Sequence, residues 1–272
     1  MKKLLAITAL SAALFFGQTV AAEEKAAEEV KPSHVEMVLV LDESGSMSDL
    51  TRDTIGGFNS MIEKEKKLDV DAHVTTVLFN DQYKMLYNRR ELKDVRKMTD
   101  KDYTPGGMTA LLDAVGRTIH KMDMVSGIHR KDKGNKVLFV IITDGEENDS
   151  KEYTYADVKK LIKDRQENAG WEFIFLGANI DAAAEAENLG IDRDRAVKYK
   201  NTGSGVRANF KAVAELSDSL AKSGRVSDEW KSQVEEDTDE DIMAAPADTK
   251  EHTAPSAKPV KKHLVSKVRK AK

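Results

Sequence analysis

Residues 35–48, VEMVLVLDESGSMS, decide the fold. Val35 to Leu41 form a nearly continuous apolar run, as expected for a strand covered on both faces inside a parallel sheet. The run stops at Asp42, and a short polar loop leads into a helical pattern over roughly 49–67, with Leu50, Thr54, Phe58, Met61 and Ile62 along one face. Open α/β sheets bind ligands just outside the carboxyl ends of their strands, so the loop after Leu41 lies where a site is expected.

Outward from this unit the alternation continues. HVTTVLFN (73–80) and YKMLYNRR (83–90) flank Asp81-Gln82 and predict an antiparallel hairpin. After Pro105-Gly106-Gly107 a helix is expected from Thr109, with Leu112, Val115, Ile119 and Met122 inward. KVLFVIIT (136–143) is a second buried strand, followed by a helix over 154–168, a strand WEFIFLG (171–177), an Ala-rich helix (181–188), a strand AVKYK (196–200) and a helix over 205–222. The expected fold class is α/β, a doubly wound, mostly parallel sheet with one antiparallel edge strand and helices on both faces, spanning residues 34–225.

The ends of the chain differ in character. Lys2 and Lys3, the apolar stretch Leu4 to Phe16 and the small residues Val20-Ala21-Ala22 predict a cleaved export signal over 1–22, and hence a periplasmic or secreted protein. Cleavage takes the formal charge from -4 to -6 by removing two lysines. Residues 23–33 are expected to be a linker. From 226 to 272 an acidic stretch (235–241), an Ala/Pro/Thr segment and a run with seven Lys or Arg over 258–272 predict a disordered tail, whose basic end suits an anionic envelope surface. No cysteine is present, which excludes disulfides and thiolate-bound zinc. The net charge gives no bias toward nucleic acid, and no further apolar run reaches membrane-spanning length.

In LDESGSMS (41–48), Asp42, Ser44 and Ser46 alternate, so an extended loop would turn their oxygens to one side. A carboxylate and two hydroxyls are hard ligands that suit Mg2+, Mn2+ or Ca2+. Taken alone, the segment also reads as a strand-to-helix turn with capping side chains. Two further segments favour a metal: Thr109 follows a Gly-Gly turn, and Asp144 ends the central strand in ITDGEEN (142–148). All three should meet at one sheet edge.

This combination, Asp42-x-Ser44-x-Ser46, then Thr109, then Thr143-Asp144-Gly145, resembles the metal-ion-dependent adhesion site of von Willebrand factor type A domains. The likeness covers about residues 34–222. It is most similar to small bacterial members, with TIGGFN (54–59), TPGGMTAL (104–111) and ITDGEEN as shared wording. The resemblance implies that the hydroxyls of Ser44, Ser46 and Thr109 hold a divalent cation directly, Mg2+ first among the candidates. Asp42 and Asp144 would then act through bound waters, and an Asp or Glu carboxylate of a partner protein would complete the shell. It implies an adhesion or scaffolding module of the bacterial envelope that is not an enzyme. The alternatives are a metal-dependent phosphoester hydrolase and an envelope protein whose metal only stabilises the fold.

Other signals carry less. GSGVRA (203–208) matches a dinucleotide-loop spacing but follows the last strand, and it reads better as a helix start. His34, His73, His120, His129, His252 and His263 show no close pair at metal spacing and read as ordinary edge or surface positions. Asp192-Arg-Asp194 reads as a turn, and no nucleophile elbow surrounds Ser44 or Ser46.

Overall fold

The computed structural model describes residues 34–67, 72–125, 135–227 and 229–236. The expected signal and linker (1–33), and the tail beyond 236, lie outside the described residues.

Six strands form one sheet: β1 (His34–Asp42), β2 (Ala72–Phe79), β3 (Tyr83–Glu91), β4 (Asn135–Thr143), β5 (Glu172–Gly177) and β6 (Ala196–Lys198), in the order β3-β2-β1-β4-β5-β6. All neighbours are parallel except the β2–β3 hairpin, turned by Asn80, Asp81 and Gln82. The helices are α1 (Thr51–Glu65), α2 (Leu111–Asp123), α3 (Tyr155–Asp164, continued by a π turn over Arg165–Ala169), α4 (Ala182–Leu189), α5 (Gly203–Ser223) and α6 (Trp230–Glu236). This is the doubly wound α/β architecture with one antiparallel edge strand.

Alternation along the two central strands builds both halves of the core. Val35, Met37, Leu39 and Leu41 of β1, with Leu138, Val140 and Ile142 of β4, pack beneath α1, α5 and α6. Val38, Val40, Val137, Phe139 and Ile141 face α2, α3 and α4. Both sides of these strands are therefore dry, which is why they read as unbroken apolar runs.

Chain order reverses between β1 and β4: strands 2 and 3 lie on one side, 5 and 6 on the other. The carboxyl ends of β1 and β4 thus flank the switch point, where this class of sheet leaves a crevice.

GSGVRA proves to be a steric requirement of α5. Thr202 caps the helix by accepting from the Gly205 amide, and a Cβ on Gly205 would lie 2.2 Å from the Lys200 carbonyl oxygen. The expected domain boundary at 225 is corrected by α6. Val226, Trp230 and Val234 are buried in the core shared by α1 and α5, so the packed unit runs to at least 236. Only a few apolar side chains in a polar stretch do this, too few for a helical period to stand out. Truncation after residue 227 is expected to lower stability by about 3–5 kcal/mol, the scale of losing one buried Trp. Thermal unfolding of the two lengths checks this.

Candidate metal centre at the switch point

Asp42 is the last residue of β1, and Asp144 follows β4 directly. Ser44 and Ser46 sit in the turn that opens a 3-10 segment (Gly45–Leu50) ahead of α1. Thr109 does not open α2, as the sequence suggested. The helix begins at Leu111, and Thr109 lies in the loop that leads into it, where its carbonyl accepts from the amides of Asn148 and Asp149. Its own amide donates to Asn148 Oδ1 at 2.9 Å.

These segments are tied together through the backbone. The Gly45 amide donates to the Gly107 carbonyl at 3.2 Å, and the Gly106 amide to the Glu43 carbonyl at 2.9 Å. Gly107 has φ 78°, and a Cβ there would meet Asp81 Oδ1 at 1.9 Å, so this turn demands glycine on two counts. Tyr103 donates to the Asp42 carbonyl at 2.6 Å, and Tyr199 to the Thr143 carbonyl at 3.2 Å. Burial holds both phenols well above their ordinary pKa, so they stay neutral donors.

The five expected side chains converge. Ser46 Oγ donates to Asp144 Oδ1 at 2.5 Å and lies 3.0 Å from Ser44 Oγ. A hydroxyl has one proton, and that of Ser46 is committed to Asp144, so Ser44 is the donor of the pair. Thr109 Oγ1 and Ser46 Oγ lie 3.7 and 3.8 Å from a single point, the place a Cβ of Gly145 would occupy. Asp42 Oδ1 accepts from the Ser44 amide at 2.7 Å, and its Oδ2 from Thr143 Oγ1 at 2.6 Å. Ser46 is exposed, whereas Asp42, Ser44, Thr109 and Asp144 are buried, so the cluster opens to solvent on the Ser46 side.

The electrostatics are lopsided. Asp42 and Asp144 are each 1% exposed, and among the described residues no Lys, Arg or His forms an ion pair with either. Burial pushes the Asp42 carboxyl above its ordinary pKa. Hydrogen bonds from Thr143 and Ser44 oppose the rise, and the nearby Asp144 charge adds to it. Buried carboxylates are normally paired with a base or a metal. The other acids here are accounted for. Glu43 is held by Lys84 Nζ at 2.8 Å and the Thr104 amide at 2.5 Å. Glu147 accepts from the amides of Leu112, Asp149 and Ser150, and Asp149 meets Lys151 at 3.3 Å. Glu146 is exposed.

The donor set fits a hard divalent ion. Every group is an oxygen, and adjacent ligands of an octahedral ion with bonds of about 2.1 Å stand about 3.0 Å apart. Ser44 Oγ and Ser46 Oγ have that separation.

Several supporting residues carried no legible signal. Asn201, just past β6, donates to Asp144 Oδ2 at 3.3 Å, and Asn179, just past β5, donates to the Asp144 carbonyl at 3.2 Å. Asn179 has φ 56°, a conformation asparagine tolerates better than most residues. Both occupy strand ends at the same sheet edge, so the strand order, once known, would have pointed to them.

The histidine expectation is corrected. His34 and His73 form a close pair, Nε2 to Nδ1 at 2.9 Å, because parallel pairing of β1 and β2 sets His73 opposite Glu36, two residues along the strand from His34, although 39 residues separate the histidines. Together with Glu36 they make a cluster at the opposite, amino-terminal edge of the sheet. Sequence spacing gives no hint of a pair made by strand register.

Comparison with known proteins agrees with this architecture. Proximal thread matrix protein 1 from the mussel byssus is a structural neighbour at TM-score 0.50 and 12% identity, covering 68% of this chain and 46% of that one. A further structure of that mussel protein, described with a zinc-occupied MIDAS motif, matches at TM-score 0.46 and 13% identity over 68% of this chain and 46% of that one. The vWF domain of the type V pili tip protein Mfa5 from Porphyromonas gingivalis matches at TM-score 0.49 and 13% identity, covering 73% of this chain and 99% of that domain. The chain thus spans about half the length of the mussel protein. No curated protein matches the sequence. The family model vWA-TerF-like, described as the vWA found in the TerF C terminus, matches residues 34–190, more than half of the chain. The chain belongs to that family of von Willebrand type A domains.

Proposed function

We propose that this protein is a metal-dependent protein-binding module, in which a divalent cation held by Ser44, Ser46 and Thr109 is completed by an Asp or Glu carboxylate of a partner. The observation that carries this reading is the pair of buried carboxylates, Asp42 and Asp144, without a basic partner among the described residues and beside a cluster of hydroxyls open to solvent. Three hydroxyls bring no formal charge, so the ion keeps a large part of its positive charge for an incoming anion. Mg2+ is the resident we infer, since a site of a few hydroxyls with carboxylates behind them leaves the ion several of its waters, which Mg2+ gives up reluctantly.

The surroundings suit a protein ligand. Met108, next to Thr109, is 51% exposed and offers an apolar contact beside the charged one. Lys84 neutralises Glu43, which removes one source of repulsion toward an acidic partner. No helix among the described residues is long and apolar enough to cross a membrane. Export of the mature chain to the periplasm or beyond, from the signal over 1–22, places such a partner in the cell envelope in this reading.

The test is affinity capture from a bacterial envelope extract, run in Mg2+ and again in chelator. A partner retained in Mg2+ and released by chelator is expected. Thr109→Val keeps the shape of the side chain and removes the ligand oxygen, so it should weaken retention by about tenfold or more. Met108→Ser should weaken retention and leave affinity for the ion unchanged. Capture that persists in chelator at full strength removes the metal from the mechanism.

A further inference from the structure

We infer that His34, Glu36 and His73 form a second cation site, selective for a transition-metal dication such as Zn2+, at the sheet edge opposite the serine–aspartate centre. His34 Nε2 lies 2.7 Å from Glu36 Oε1 and 2.9 Å from His73 Nδ1, and the third side of the triangle, His73 Nδ1 to Glu36 Oε1, is 3.5 Å. Ligands of a tetrahedral ion with bonds of about 2.0–2.1 Å stand about 3.3 Å apart, so two sides of this triangle need to open by only about 0.5 Å. Two imidazoles and one carboxylate are a donor set for zinc, copper or nickel, and a poor one for Mg2+. The two centres would therefore sort ions by ligand chemistry.

Two independent observations point to a cation here. Glu36 is 2% exposed, and its Oε2 is buried with no hydrogen-bond partner. Its Oε1 is already met by Arg89 and His34, so the buried Oε2 is an acceptor that a ligand bond would satisfy. Secondly, a cation already stands at this position: the guanidinium of Arg89 contacts Glu36 Oε1 and lies 3.4 Å from His73 Nδ1. Arg89 comes from the edge strand β3, at φ 46°, where the pairing with β2 is irregular, and such irregularities re-aim a side chain. Its side chain is 32% exposed, so it can swing into water, whereas Glu36 cannot leave. Arg89 thus occupies the place that the ion would take. The rings of His34 and His73 remain partly accessible, at 12% and 23%, which leaves an approach for the ion and room for water as a further ligand. A metal held here would clip the start of β1 to β2.

The experiment titrates Zn2+, and Co2+ as its coloured substitute, into full-length chain carrying Asp144→Ala, which disables the other centre. One equivalent of Zn2+ is expected to bind, and Co2+ to give the visible bands of a low-coordinate nitrogen–oxygen site. Adding His34→Ala and His73→Ala should weaken uptake at least tenfold and remove the bands. Arg89→Gln leaves all three ligands in place and removes the competing cation, so it should tighten Zn2+ severalfold, and it keeps the question decidable if the double histidine variant does not fold. Absence of uptake in the Asp144→Ala chain, uptake unchanged by the histidine changes, or Arg89→Gln that fails to tighten Zn2+ would each overturn the site. Failure of partner capture at the serine–aspartate centre would leave this result untouched.

Discussion

Asp144→Ala is expected to lower Mg2+ affinity by about 10- to 100-fold, the range found when a group that holds a metal's ligands and waters is removed. The carboxylate accepts from Ser46 and from Asn201, so it orients one proposed ligand directly. It also supplies a negative charge 1% exposed, for which only hydrogen-bond donors compensate among the described residues. The same change relieves the like-charge repulsion that helps raise the Asp42 carboxyl. Metal-free protein should therefore melt at the same temperature as wild type or above it. Wild type should be stabilised by Mg2+, by about 2.7 kcal/mol at an ion concentration of 100 times its Kd, while the variant gains only about 0.4–1.4 kcal/mol at that concentration. Thermal melts of both proteins with and without the ion separate this outcome from simple misfolding, which would lower the metal-free melting temperature.

Glu65→Gln should raise stability, increasingly so as pH climbs from 4.5 through about 7. Glu65 lies between α1 and α5, 1% exposed, with one oxygen accepting from Ser217 Oγ at 2.6 Å and the other without a partner. Burial pushes its pKa up to about 7 from 4.5. Ser217 and Lys64 oppose the rise, and Asp218 adds to it. A raised folded pKa means that the contribution of this group is fully present below pH 4.5 and is lost as pH rises toward 7. Above that the fold carries a buried carboxylate at a cost of about 3 kcal/mol. Glutamine keeps an acceptor for Ser217 without the charge. It should match wild type near pH 4.5 and exceed it by about 2–3 kcal/mol near pH 8. Denaturant unfolding at the two pH values is the check. Equal stability at both would show that water reaches this carboxylate.

The two-sided burial of β1 and β4 made the fold legible, because unbroken runs such as VEMVLVL and VLFVIIT, too short to span a membrane, suit a strand with helices on both faces. The hairpin was legible from the two runs that flank Asp81-Gln82, and the positions of Asp42 and Asp144 were legible because they stand at the ends of β1 and β4. What stayed hidden depends on register and on sparse packing. Asn179 and Asn201 matter because β5 and β6 end at the same edge, and no local pattern says so. The His34–His73 pair is made by lateral strand pairing, and Arg89 reaches it through an irregularity that no propensity encodes. Helix α6 was lost in a charged stretch because its buried apolar residues among those described, Trp230 and Val234, are too few to mark a helical period. Thr109 was misplaced by two residues, since a Gly-Gly turn announces a helix without marking its first turn.

Metal and partner carboxylate should bind as one linked event, since each supplies what the other lacks. Mn2+, which can be followed directly by its magnetic resonance, gives the measurement: its affinity for the protein alone, and for the protein saturated with the captured partner. Linkage requires that the partner tighten Mn2+ by the same factor by which Mn2+ tightens the partner. A factor of about 10 or more is expected in both directions, within the usual range of coupling between sites, and lost together in Asp144→Ala. An Mn2+ affinity that does not change when the partner is bound would contradict a shared metal centre.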